Sequence, residues 1–304
     1  MGNPYDGILL IDKNEGETSF DVVKRVRRIC MVKKVGHAGT LDPFATGLLI
    51  VLLGQGTKLT PYFMESEKIY RATMRLGIET DTQDLTGRVL QSRPVPGFTQ
   101  GYIKEKAREF IGEIEQVPPV FSALNYKGKR AYEFARKGIR IDLEKRRVKI
   151  HSIEIISINL PDVTMEIRCA KGTYIRTLAA DMGKKLGPGA HLIALKRLAI
   201  GPFKVEDALD SIGMGFSPLD SLIQSEIITL REALPHIKEI RVDDRMAKKI
   251  RNGYQPVWEE GVAGSDFYEG YMKLLNMREL VAIIKVRHLS GDDKKGLKIM
   301  RVFN

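Results

Sequence analysis

The longest uninterrupted apolar run in this chain is only six residues, Leu48 to Leu53, and it follows directly on the segment Gly36-His37-Ala38-Gly39-Thr40-Leu41-Asp42-Pro43-Phe44-Ala45-Thr46-Gly47. Six apolar residues make a buried strand, and a bilayer span needs about 20. The chain therefore has to build a sheet. Lys68 to Leu76 reads as a second strand of that sheet, because Tyr70, Ala72, Met74 and Leu76 share one face. With 304 residues, 43% of them hydrophobic, a sizeable core can form as one large domain or two unequal ones.

Upstream of the glycine-bounded segment, Thr18 and Asp21 have the spacing of a capping box, and Phe20, Val23, Val26 and Cys30 recur at helical spacing. The expected element is an amphipathic helix with a basic outer face, ended by Gly36. Thr80-Asp81-Thr82-Gln83-Asp84-Leu85-Thr86-Gly87 reads as a polar turn, and Val163, Met165, Ile167 and Cys169 as another strand. A further helix is predicted from about Thr173, with Ile175, Leu178, Met182 and Leu186 inward and Gly187-Pro188-Gly189 as its stop. Beyond about Ile237 a separate unit is expected, with strands at Met272 to Leu275, Leu280 to Val286 and Leu297 to Val302 and a short helix at Met246 to Arg251. A small β-barrel is the natural guess.

Charge narrows the choice of partner. The formal net charge is +11 and the pI near 9.5, which favours nucleic acid or anionic lipid. Lys24 to Lys34 holds six cations and no acid. Leu124 to Ile150 holds ten Lys or Arg against three Asp or Glu, and carries +7 of the total together with Tyr126, Tyr132 and Phe134. Basic residues interleaved with aromatics suit phosphates and unstacked bases. Met1-Gly2-Asn3-Pro4 shows no signal-peptide pattern, so a cytoplasmic protein without membrane contact is expected. Cys30 and Cys169 read as structural, and neither they nor the five histidines have metal-ligand spacing.

The glycine-bounded segment is the expected seat of chemistry. Asp42 before Pro43 has two readings, an N-cap followed by proline at the first helical position, or a carboxylate held where it can reach a sugar or base. Arg176 in the first turn of its helix faces the positive end of the dipole at a cost of about 0.3–1 kcal/mol. A bidentate pair with a carboxylate such as Asp42 would compensate, and so would exposure to water. Tyr70 and Tyr174 are either core residues or stacking platforms. His37 is a lone histidine, suited to stacking or a nucleotide hydrogen bond. Gly54-Gln55-Gly56 lacks the glycine spacing of a phosphate loop.

Four separated motifs resemble the TruB family, the tRNA pseudouridine-55 synthases. These are Gly36 to Pro43, then Lys68-Ile69-Tyr70 with Leu76-Gly77 and Thr80-Asp81-Thr82, then Lys171-Gly172-Thr173-Tyr174-Ile175-Arg176, and finally Gly189-Ala190-His191 through Leu195-Lys196-Arg197-Leu198. Lys196 stands where an arginine is more usual and keeps the charge. Pro118 to Arg136 resembles the insertion that grips the tRNA in stand-alone members. The resemblance implies an α+β pseudouridine-synthase fold, with a central mixed, largely antiparallel sheet flanked by helices and loops. It implies a catalytic domain over 1–236, with the insertion at about 124–150, and a small barrel-like PUA domain over 237–304. It implies isomerisation of the T-loop uridine by base flipping, without metal, cofactor or obligatory protein partner. Asp42 would be the catalytic carboxylate, Tyr70 would stack on the uracil, and Arg176 would orient Asp42. Tyr174 and Leu195 would line the base pocket and His37 would contact the opened loop. Lys127, Lys129, Arg130, Arg136 and Lys137 would bind phosphates of the T-stem-loop.

Three other readings fit the same features. A guide-RNA-dependent synthase of the dyskerin type shares the aspartate loop and the C-terminal domain, although the basic insertion argues against it. A non-catalytic RNA-binding or tRNA-folding protein would use the same basic surfaces. A glycosylase that releases uracil is a third and weaker option.

Overall fold

A computed structural model describes residues 5–122, 124–139, 141–212, 221–256, 269–288 and 295–304. Its main sheet is built from β1 (Gly7–Lys13), β2 (Thr46–Leu53), β3 (Lys68–Leu76), β4 (Gly112–Gln116), β5 (Arg146–Asn159), β6 (Asp162–Cys169) and β7 (Ala190–Ile200), with short strands at its margins. The spatial order is β1-β2-β7-β3-β6-β5-β4. All these neighbours are antiparallel except β2 and β7, which run parallel with Lys196 opposite Thr46 and Arg197 opposite Gly47. The sheet is thus mixed and largely antiparallel, as the family resemblance implies.

The six-residue apolar run owes its continuity to cover on both faces. Successive side chains of a strand point to opposite faces. Leu48, Ile50 and Leu52 pack with Ile8, Leu10, Phe63 and Phe303, whereas Leu49, Val51 and Leu53 pack with Leu9, Ile11 and helix α1 (Ser19–Cys30). Each fully buried aliphatic side chain contributes about 1.5–3 kcal/mol. A second core lies further along the sheet, where Ala72, Met74 and Leu76 of β3 and Val163, Met165, Ile167 and Cys169 of β6 meet Ile175, Leu178, Met182 and Leu186 of helix α2 (Ile175–Leu186).

The capping box at Thr18 and Asp21 is formed, and α1 buries Val22, Val23, Val26, Ile29 and Cys30. Two expectations for it are corrected. The helix stops at Cys30, where Met31 takes a left-handed conformation at φ 51°, rather than at Gly36. Phe20 is 53% exposed, because at 100° per residue it lies about 200° around the helix from Val22. Lys24 Nζ sits 4.7 Å from the centre of its ring.

The C-terminal strands β8 (Lys238–Arg241), β9 (Gly270–Asn276), β10 (Glu279–His288) and β11 (Lys295–Val302) form a four-stranded sheet in that order. Among the described residues the sheet is open, which corrects the expected barrel. Closure is unnecessary because neighbours cover both faces. Helix α3 (Asp244–Arg251) packs on one, placing Ala247 and Ile250 against Leu274, Ala282 and Ile284. Leu275, Leu280, Ile283 and Phe303 join the cluster built on β1 and β2. Lys58 Nζ also donates to Val302 O at 2.6 Å. No helix among the described residues is long and apolar enough to cross a membrane.

Candidate active site

The loop that carries Asp42 is fixed through its carbonyls. Ser19 Oγ donates to Leu41 O at 3.3 Å and accepts from Leu41 N at 2.9 Å. Pro43 O accepts from Gly16 N at 2.8 Å and from Lys13 Nζ at 3.3 Å, and Gly39 O accepts from Arg197 Nη2 at 3.1 Å. The backbone is therefore clamped on both sides of Asp42, which caps no helix, since strand β2 begins at Thr46. Gly47 is needed where the loop enters β2. It has φ 101°, and a Cβ there would lie 2.3 Å from Arg197 O of the adjoining strand.

Arg176 ties this loop to two other segments. Its Nε donates to Asp42 Oδ2 at 2.9 Å and its Nη2 to Asp42 Oδ1 at 3.3 Å, a two-pronged pair. The same Nη2 donates to Phe121 O at 2.8 Å, while Nη1 donates to Thr82 O at 3.0 Å and to Asp84 Oδ2 at 3.1 Å. Asp84 is itself fixed, as its Oδ1 accepts from Thr82 Oγ1 at 2.7 Å, Thr86 N at 2.9 Å and Thr86 Oγ1 at 2.6 Å. Two carboxylates thus offset the unfavourable dipole position of Arg176. Burial pushes the Asp42 carboxyl above the ordinary aspartate value, Arg176 and Lys13 pull it down, and Asp84 adds to the rise.

A cleft of about 600 Å³ opens at this point, and Asp42, Tyr70, Tyr174, Arg176 and Leu195 all line it. Burial holds the Tyr70 phenol above its ordinary value, with Arg197 acting in the opposite direction. Tyr174 is set by its backbone, whose N–H donates to Gln116 Oε1 at 3.0 Å and whose carbonyl accepts from Gln116 Nε2 at 3.3 Å. Arg146, Arg147 and Lys171 give the walls positive charge. His37 is not brought into the lining. It lies on the short strand Val35–His37 beside β2, where burial first, and then Arg197, hold its imidazole below the ordinary value.

The basic insertion has a core of its own. Asn125–Tyr126 pairs with Lys129–Arg130, and the hairpin turns at Lys127 and Gly128, with φ 48° and 84°. Ala131, Ile141 and Leu143 pack with Leu124, Tyr126 and Phe134. The Tyr126 and Phe134 rings meet edge to face with centroids 5.7 Å apart. Both rings are partly buried, so they brace the insertion's small core as well as bordering its surface. Lys127, Lys129, Arg130 and Lys137 point outward and are exposed. The side chain of Arg136 lies outside the described residues.

Several residues of the site escape a reading by motif. Asp84 sat in what read as a polar turn, and Gln116 at a strand end. Lys13 is fully buried, donating to Asn14 O and Glu17 O at 2.8 Å as well as to Pro43 O. Arg197 is 1% exposed and donates through Nε to Leu48 O at 2.7 Å. A signal for it existed, since Arg197 is in phase with the inward residues Leu195 and Ala199 of β7. Among the described residues no group of His, Cys, Asp and Glu is arranged to hold a metal ion.

Known proteins resemble this chain along most of its length. Residues 27–175 match the N-terminal domain model of the TruB family pseudouridylate synthases, and residues 176–213 match the C-terminal domain of tRNA pseudouridylate synthase B. The tRNA pseudouridine synthase B of Geotalea uraniireducens is 43% identical over 304 residues, covering 98% of either chain. That of Clostridium kluyveri is 47% identical over 82% of this chain and 84% of its own. Among solved structures, a Cbf5-Nop10-Gar1 complex aligns with a TM-score of 0.73 at 26% identity, covering 99% of this chain and 85% of that one. Fold and sequence agree: the chain belongs to the TruB family of pseudouridylate synthases.

Proposed function

We propose that this enzyme isomerises the T-loop uridine of tRNA, position 55, to pseudouridine. The observation that carries the reading is the two-pronged clamp of Arg176 on Asp42 at the wall of a cationic cleft. The N1–C1′ bond breaks and a C5–C1′ bond forms. One proton leaves C5 and one joins N1, so the reaction balances without a co-reactant. The target base must first leave its stack, at a cost of a few kcal/mol. The outward cations Lys127, Lys129, Arg130 and Lys137, with Arg136 on the same insertion, offset that cost on phosphates of the T-stem-loop.

Within the cleft, Asp42 supplies the carboxylate that starts the transfer, and Arg176 holds it in place and favours its charged form. Tyr70 stacks on the uracil and is assigned the C5 proton. Tyr174 and Leu195 complete the base pocket, and His37 is assigned to the opened RNA loop. We assign residues 1–236 to the catalytic domain and 237–304 to a PUA-like RNA-binding domain, in an enzyme of the cytoplasm.

A guide-dependent reading draws support from the fold likeness to the Cbf5 complex. The stand-alone reading is favoured by 43% identity along nearly the whole chain to a tRNA pseudouridine synthase B, and by an insertion with its own core. Purified protein incubated with one unmodified tRNA, with pseudouridine mapped by position, separates the two. Product at position 55 without any partner is expected. Asp42→Asn should abolish turnover and keep tRNA binding, and pseudouridine formed by folded Asp42→Asn would sink the assignment.

A further inference from the structure

We infer that the seam between the main sheet and the C-terminal sheet is a second nucleotide site, taking one unstacked base on an aromatic corner and its phosphate on a cation. This rests on the tRNA reading above. The cavity there is about 350 Å³, within the roughly 300–1,000 Å³ of pockets that take small organic groups. Both units build it. Tyr62 comes from the short helix Thr60–Glu65, His236 from the connection, Tyr271 from β9 and Arg301 from β11.

Tyr62 and Tyr271 meet edge to face, with centroids 5.3 Å apart and planes at 83°. Tyr271 keeps 38% of its surface exposed. Such a corner offers a ring to stack on and an edge to close the side, and every base has a face to stack. Burial pushes the Tyr62 hydroxyl up to about 12, so it stays a neutral hydrogen-bonding group for a base edge. Lys285 Nζ lies over the face of the Tyr271 ring, 5.6 Å from its centre, so a stacking base takes the place of this flexible ammonium, which then meets the phosphate. The exposed Arg301 donates to its neighbour's carbonyl, Met300 O, at 2.7 Å. Aromatic surface beside positive charge fits a nucleotide, because an isolated phosphate would leave the rings idle. The site adjoins the catalytic cleft, since the Glu65 carboxylate lines both cavities.

Tyr271→Ala should weaken binding of unmodified tRNA about tenfold and leave the single-turnover rate at saturating tRNA unchanged. Tyr271→Phe should restore binding, because the ring rather than the hydroxyl stacks. Arg301→Gln should weaken binding and reduce the salt slope of log K by about one. Circular dichroism establishes folding, and the Phe and Gln variants carry the test if the Ala variant does not fold. Unchanged affinity in folded Tyr271→Ala, or a slowed single turnover at saturation, overturns the site. Calorimetric titration with adenosine 5′-monophosphate separates the sources. Saturable binding lost in Tyr271→Ala points to a free nucleotide, and absence of heat with weakened tRNA binding points to one carried by the RNA. If the wild type makes no pseudouridine yet binds tRNA in a Tyr271-dependent way, the catalytic reading fails and the seam site stands.

Discussion

Arg176 shares its guanidinium between a partly buried carboxylate, Asp42, and a buried one, Asp84, so its removal strands two charges at once. Arg176→Met is expected to cost about 3–5 kcal/mol of stability, chiefly because Asp84 is left buried without its partner; urea unfolding monitored by circular dichroism measures it. Asp84→Asn tests the electrostatics in the opposite sense. Asp84 is among the groups that raise the Asp42 carboxyl, so its neutralisation lets Asp42 stay ionised to lower pH. The acid limb of the single-turnover rate should move down in pH, and an upward movement would contradict the assigned geometry. At this scale the motif residues are legible in the sequence and their supports are not. Asp42 and Arg176 stand in recognisable contexts, whereas Asp84, Gln116 and Lys13 matter through contacts with residues 58 to 92 positions away or with loop carbonyls, which no local pattern encodes.

Strands β2 and β7 are the elements that bring the site together, because their short parallel pairing sets Arg197 directly against Gly47. Gly47→Ala should therefore act on both strands. The left-handed backbone alone costs about 1–3 kcal/mol, and the clash with Arg197 O displaces the aspartate loop. A lower melting temperature together with a reduced single-turnover rate is the expected pair of results; a lower melting temperature with full activity would separate Gly47 from loop placement. Strands β3 and β6 and helix α2 were legible because each presents one apolar face to one core. The turn at Thr80 to Gly87 was legible only as polar, since its organising centre is a side chain, Asp84, and not its backbone. The end of α1 was misplaced because Met31 supplies a left-handed turn usually left to glycine.

For the whole molecule, binding and chemistry separate by charge. Lys127 and Lys129 are exposed on the hairpin, remote in role from the clamp on Asp42. The double variant Lys127→Ala/Lys129→Ala should weaken tRNA binding and flatten its dependence on KCl concentration by about one unit of slope per lost phosphate contact. The single-turnover rate at saturating tRNA should hold. Filter binding over a salt series, paired with rapid quench, reads both.

The shared core of β1, β2 and the C-terminal sheet has a further consequence for how the chain acquires its structure. Ile8 and Phe303 occupy one apolar cluster, and Gln55 Oε1 accepts from Asn304 N at 3.2 Å across 249 positions of sequence. During synthesis the part of this cluster that Leu275, Leu280, Ile283 and Phe303 cover must wait until β9 to β11 have left the ribosome. Such long-range closure is slow and leaves apolar surface open to wrong contacts in the meantime. For that interval the nascent enzyme carries apolar surface of the kind chaperones cover, and the cluster closes only when Phe303 joins it.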